Sequence, residues 1–231
     1  MAVLRWAVCA ALMVAWWPVL VVGARLGLIA RLHPFARRAF RLSLRVLGMD
    51  LRVSGLEHVD PARPTLYLGN HVSLFDAFAF VAAVPQRVVA VEEAANFRFP
   101  VYGPLIRAWG NIPLDRTDAA SALASLDGVV AALQAGQSVC MMPEGTRTRD
   151  GDVGAFRLGP FRVALEAGTT IVPFALRGMR AFNRPGTWVV RPAAVEVVFL
   201  PAIDTSAYAR EDLAALAERV RADLLAALAG T

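Results

Sequence analysis

The sequence predicts an α/β fold: a mainly parallel central sheet flanked by helices, preceded by an N-terminal hydrophobic and amphipathic helical arm. Three observations carry this. From residue 50 onward, short β-prone runs alternate with helix-length segments, the pattern of parallel strands joined by helical crossovers. No internal repeat or low-complexity linker divides them, so 231 residues suit one body with an appendage. Residues 6–24, WAVCAALMVAWWPVLVVGA, carry no charge.

The elements follow in order. Nineteen helical residues would span ~28 Å, close to the ~30 Å hydrocarbon core of a bilayer. Pro18 predicts a bend, so a full span and a re-entrant segment both fit. Trp6, Trp16 and Trp17 suit a membrane interface. A cleaved signal peptide ending near Val22-Gly23-Ala24 and a buried core helix are the rival readings. Seven arginines between residues 25 and 52 oppose export and put the body on the cytoplasmic face of the inner membrane. Within residues 25–48, Leu28, Leu32, Phe35, Leu42 and Val46 share one side, with Pro34 as a bend. That suits a helix in an anionic leaflet, or one packed on the body. His33, beside Pro34, reads as a satisfied or solvated histidine. The expected division is a membrane arm at 1–49 and a catalytic body at 50–231.

In the body, Asp50–Ser54 and Thr65–Leu68 read as strands, and Ser73–Val84 as a helix closed by Pro85. Arg87–Val91 is a strand, Ser121–Gln134 a helix, Ser138–Met142 a strand. Phe156–Ala167 is a helix ending at Gly168, and Thr170–Leu176 a buried strand. Trp188–Val190 and Ala194–Phe199 suggest a late hairpin, and Tyr208–Leu228 a last helix.

Composition narrows the function. Apolar residues are 57% and charged residues 19%, which excludes a disordered chain. The net charge is +5, with every cation an arginine, so no lysine-dependent Schiff base or phosphate loop is available. Residues 1–52 hold eight arginines and one acid, while 53–231 hold sixteen arginines and eighteen acids. A basic arm on a near-neutral body argues for membrane lipids as partners and against nucleic acid. Cys9 and Cys140 form no disulfide framework, and no Cys/His cluster has zinc spacing, so no metal or cofactor is implied.

Four segments carry chemistry. In Asn70-His71-Val72-Ser73-Leu74-Phe75-Asp76, a strand-to-helix junction lets His71 in the loop meet Asp76 in the first helical turn. The pair reads as a base with an orienting carboxylate, or as a capping Asp beside a surface His. Ser73 reads as the helix cap and Cys140 as strand packing. Gly110–Arg116 is a turn ending in a cation. Pro143-Glu144-Gly145-Thr146-Arg147 offers close backbone approach and phosphate donors, or a strand-ending turn with a salt bridge. Ile171-Val172-Pro173-Phe174-Ala175 reads as an edge or strand start, or as the lining of an acyl pocket.

In this order, the four segments resemble the glycerolipid acyltransferase family, the one containing 1-acylglycerol-3-phosphate acyltransferases. Asn70–Asp76 is similar to its NHxxxxD block, Gly110–Arg116 to its second block, Pro143–Arg147 to PEGTR and Ile171–Ala175 to the VP block. The resemblance implies that His71 removes the acceptor hydroxyl's proton and Asp76 orients it. It implies that Arg116 and Arg147 hold the acceptor phosphate, with Glu144, Gly145 and Thr146 shaping that pocket. The acceptor would be lysophosphatidic acid or another lysolipid such as a lyso-ornithine lipid, and the donor acyl-CoA or acyl-carrier protein. Where members carry lysines this chain has Val91-Glu92-Glu93 and Asp152-Val153-Gly154, and Arg98, Arg107 or Arg157 are the available substitutes. A lipase lacks support without a GxSxG elbow. A non-catalytic phosphatidic-acid-binding protein is the reading from another class.

Overall fold

The structure is a computed structural model that describes residues 2–148 and 151–230. Two helices, α1 (Ala2–Arg25) and α2 (Ile29–Leu47), pack on each other across a three-residue turn. The body then runs β1 (Met49–Ser54), β2 (Thr65–Gly69), α3 (Asp76–Ala83), β3 (Val88–Glu93), α4 (Tyr102–Trp109) and β4 (Ile112–Leu114). It continues with α5 (Ala119–Gln134), β5 (Ser138–Met141), α6 (Gly159–Ala167), β6 (Thr170–Arg177), α7 (Met179–Phe182), β7 (Ala193–Phe199) and α8 (Leu213–Ala229). The sheet order is β1-β7-β6-β2-β5-β3-β4. All neighbours are parallel except β6 and β7. This is the expected α/β architecture.

Strand alternation divides the core between the two faces of the sheet. Tyr67, Cys140, Val172 and Phe174 join one apolar cluster with Leu44, Leu47 and Phe80. Their neighbours Leu66, Leu68, Val139 and Ile171 join the other, with Val129, Phe161 and Leu216. Strand β2, buried at every position, lies near the centre and so reads as one continuous apolar run.

Several elements differ from expectation. Helix α3 begins at Asp76 rather than Ser73, because the preceding loop folds back onto the Asp76 carboxylate. Ser73 therefore caps no helix; its hydroxyl accepts from Phe75 N and donates to Asn183. Strand β4 lies where Gly110 and Pro113 signalled only a turn, and helix α4 precedes it in a stretch for which no element was expected. Pro104 falls in the first turn of α4, where a missing N–H is harmless, and Pro113 sits on the edge strand β4. Residues 188–190 form no strand: Val190 makes one bridge to Asn183, and the hairpin is replaced by β7 pairing with both β6 and β1.

Strand β6 is interior, not an edge. The Pro173 carbonyl accepts from Leu200 N, so its missing donor points the same way. There the chain has left β7 at Phe199 and rejoins only at Ile203, so no acceptor is wasted. In α2 the buried positions are His33, Ala36, Ala39, Ser43, Leu44 and Leu47, while Leu28 and Leu42 are exposed. The inward face thus lies beside the apolar stripe the sequence suggested. His33 is neither solvated nor satisfied: it is buried, and its Nε2 has no partner among the described residues.

Candidate active site

The loops that leave β2, β3, β4 and β5 at their C-terminal ends meet around a cleft of about 710 Å³. Parallel sheets place ligand sites at these ends because the helix-bound loops open there. His71 stands in the loop between β2 and α3. Asp76, the first residue of α3, is fully buried, and its Oδ2 accepts from His71 Nδ1 at 2.7 Å, Val72 N at 2.7 Å and Ser73 N at 2.9 Å. Two backbone donors on one oxygen require it to be an acceptor, so His71 Nδ1 carries the proton in this contact. That leaves Nε2 as the basic nitrogen of a ring that lines the cleft.

The backbone around His71 is held from both sides. Asn70, buried at the end of β2, uses its amide as an extra strand residue: Oδ1 accepts from Leu176 N at 2.8 Å and Nδ2 donates to Leu176 O. His71 N donates to Glu144 Oε1 at 2.8 Å, and His71 O accepts from Thr148 N at 2.9 Å. Glu144 Oε2 accepts from Gly154 N at 3.0 Å. Burial raises the Glu144 carboxyl above the usual carboxylate range, against the pull of the His71 and Gly154 amides. Glu144 thus ties its own loop, at Gly154, to the His71 loop from behind the cleft and does not line it.

Gly145, Thr146 and Arg147 do line it. Gly145 has φ 77°, and a Cβ there would lie 2.7 Å from Arg157 Nε, so only glycine fits without movement. Arg116 reaches across from beyond β4, with Nη1 2.6 Å from Gly145 O and 3.7 Å from Glu93. Thr146 and Arg147 are exposed and form no hydrogen bond with the described residues. Of the seven expected site residues, five face the cleft, while Asp76 and Glu144 stand behind it.

Arg157 is a third cleft cation; Arg107 instead lies over the Phe97 ring and donates to Phe97 O. Glu92, Glu93, Asn96 and Tyr102 also line the cleft, which no local motif announced. Glu92 accepts from Tyr102 Oη at 2.8 Å, Asn111 Nδ2 at 2.6 Å and Asn96 Nδ2 at 3.3 Å. Burial and that carboxylate push the Tyr102 hydroxyl well above its ordinary pKa. Behind them an apolar cavity of about 60 Å³, bounded by Phe78, Phe80, Leu105 and Trp109, shares Ala77, Ala90 and Cys140 with the cleft. Burial raises the Cys140 thiol, so it is no thiolate nucleophile at neutral pH. Pro173 lines neither space. Among the described residues no group of three or more His, Cys, Asp or Glu could hold a metal ion.

Comparison with known proteins shows the family and the fold. A 1-acyl-sn-glycerol-3-phosphate acyltransferase from Limnanthes douglasii is 33% identical over 165 residues, 71% of this chain and 58% of the relative. One of the same name from Borreliella burgdorferi is 27% identical over 78% of this chain and 73% of its own. The chain therefore spans less than two thirds of the plant relative's length. The crystal structure of the Thermotoga maritima 1-acyl-sn-glycerophosphate acyltransferase superposes with a TM-score of 0.81 at 21% identity, covering 99% of this chain and 95% of that one. The family model described as Acyltransferase matches residues 50–177, from the first strand through the end of β6. A match over more than half the sequence, enclosing His71, Asp76, Arg116 and Arg147, makes this chain a member of the acyltransferase family.

Proposed function

We propose that the protein transfers an acyl group from an acyl thioester to the free hydroxyl of 1-acylglycerol 3-phosphate, forming phosphatidic acid. The observation that carries this is the His71–Asp76 pair with Nε2 free toward a cleft holding Arg116, Arg147 and Arg157. His71 Nε2 takes the hydroxyl proton as the oxygen attacks the thioester carbonyl. The tetrahedral adduct expels the thiolate, which takes that proton from the imidazolium. General-base help of this kind supplies about 10²–10⁴-fold. The cleft arginines suit a phosphate monoester because guanidinium forks bind it bidentately.

The donor is acyl-CoA or acyl-carrier protein. Residues 50–231 act as the catalytic body and residues 1–49 seat it on membrane lipids at the cytoplasmic face. Helix α1 is long and apolar enough to cross a bilayer. However, its Trp6 and Trp17 donate to the carbonyls of Trp188 and Val101, which ties both halves of the helix to the body. Leu4, Val8, Val14, Val19 and Val22 remain exposed. This supports an apolar face laid into one leaflet rather than a span.

A lyso-ornithine lipid or another amine-bearing lysolipid is the second reading, favoured by Glu92 and Glu93 on the cleft wall. A panel of acceptors and both donors, run with wild type beside His71→Ala, tests the assignment. Transfer to lysophosphatidic acid that vanishes in the variant is expected. Undiminished transfer by His71→Ala would sink the assignment of the base.

A further inference from the structure

We propose that the segment Gly178–Pro192, beyond the helical arm, is a second lipid-docking element that seats on anionic headgroups. The proposal rests on the membrane reading given above. The segment, GMRAFNRPGTWVVRP, holds three arginines and no acid. Its tip is turned outward: Trp188 is 71% exposed and Val189 59%, while Phe182, Asn183 and Val190 at its base are buried. Among the described residues Trp188 is the one exposed tryptophan. An exposed indole on a basic, acid-free loop matches the chemistry of a headgroup layer, where the ring takes the interface and guanidinium the phosphates.

The loop is built to hold that tip in place. Asn183 Nδ2 donates to the carbonyls of Thr187 and Val189 at 3.0 and 3.1 Å, and Arg191 N donates to Phe182 O at 2.8 Å. A conformation fixed in advance costs little further ordering on binding. The tip also adjoins the apolar arm. Trp6 Nε1 donates to Trp188 O at 3.1 Å. The Arg5 guanidinium lies against Gly48 beside Pro192, adding a cation to the same corner. Arg184 and Arg191 are themselves exposed.

This corner also touches the catalytic loop. Asn183 Oδ1 accepts from Ser73 Oγ at 2.8 Å, and Trp6 packs on Phe75 at 5.9 Å between ring centres. A lipid contact made here fixes which side of the body meets the leaflet, with the His71 loop close to it.

The test uses the full chain carrying Val189→Cys labelled with an environment-sensitive fluorophore; the native cysteines, Cys9 and Cys140, are buried. Vesicles of phosphatidylcholine alone are compared with vesicles containing equal parts phosphatidylglycerol, and sedimentation is followed in parallel. The expected result is a blue shift with the anionic vesicles. The double variant Arg184→Glu, Arg191→Glu should lower partitioning about tenfold and remove the shift. Protein that sediments while the label keeps its aqueous emission overturns the docking loop and leaves the membrane reading standing. Protein that fails to sediment with either vesicle overturns both.

Discussion

A single carboxylate oxygen, Asp76 Oδ2, gathers the imidazole and two backbone amides, so at the residue scale catalysis and loop shape share one atom. Asp76→Asn places an amide where three donors converge. We expect kcat to fall ~10²–10⁴-fold with little change in acceptor KM, read from steady-state transfer assays. Glu144→Ala leaves the part-buried His71 amide without its acceptor, at a cost of ~1–3 kcal/mol, while the exposed Gly154 amide turns to water. Reduced kcat with acceptor KM preserved is the expected signature, whereas a substrate-binding Glu144 would raise KM. Gly145→Ala should lose most activity, because the new Cβ meets Arg157 on a backbone at φ 77°. The His71–Asp76 spacing was legible in the sequence because both partners lie within one junction. The bracing role of Glu144 was not, since its partner is chosen by loops that meet only when β2 and β5 pair.

At the scale of elements, α2 shows how an amphipathic pattern leaves its inward face undecided. Five apolar residues marked one side, yet packing against α1, α3 and β1 drew in small residues and His33. Burial, and then the charges of Arg37 and Arg87, lower the His33 pKa to about 4 from an ordinary 6.5. The fold therefore holds this imidazole neutral in a range where the unfolded chain takes up a proton. Its stability is complete above pH 6.5 and declines as pH falls toward 4. The slope is at most roughly 1.4 kcal/mol per pH unit. Urea midpoints at neutral and mildly acid pH should separate for wild type and converge for His33→Gln. The strands were legible wherever β-branched runs lay between turn residues. Strand β4 was hidden by Pro113, read as a turn signal, although proline does no harm on an edge strand.

For the whole molecule, the uneven charge was legible by counting: the first 52 residues set eight arginines against one acid, and the rest sixteen against eighteen. What counting could not show is that the arm belongs to the core. Cys9, Leu44 and Leu47 join one apolar cluster, and Leu20, Val21 and Ala36 the other. Vesicle binding should accordingly have two parts. Raising salt should weaken attachment to anionic vesicles without abolishing it, because the exposed face of α1 is apolar and unscreened. Complete release by salt alone would show that the helix face makes no lipid contact.

The pairing of β1 with β7 has a further consequence, in time rather than in space. Met49 finds its partner only at Ala193, and β1 has no other neighbour in the sheet. On the ribosome, the first strand therefore waits with an unpaired edge while nearly all of the sheet is made. Such long-range closure is slow, and an open edge invites pairing with other chains. Through that interval the apolar α1–α2 hairpin is already complete and can be held at a surface. The body's last strand thus closes the sheet long after the two N-terminal helices have been made.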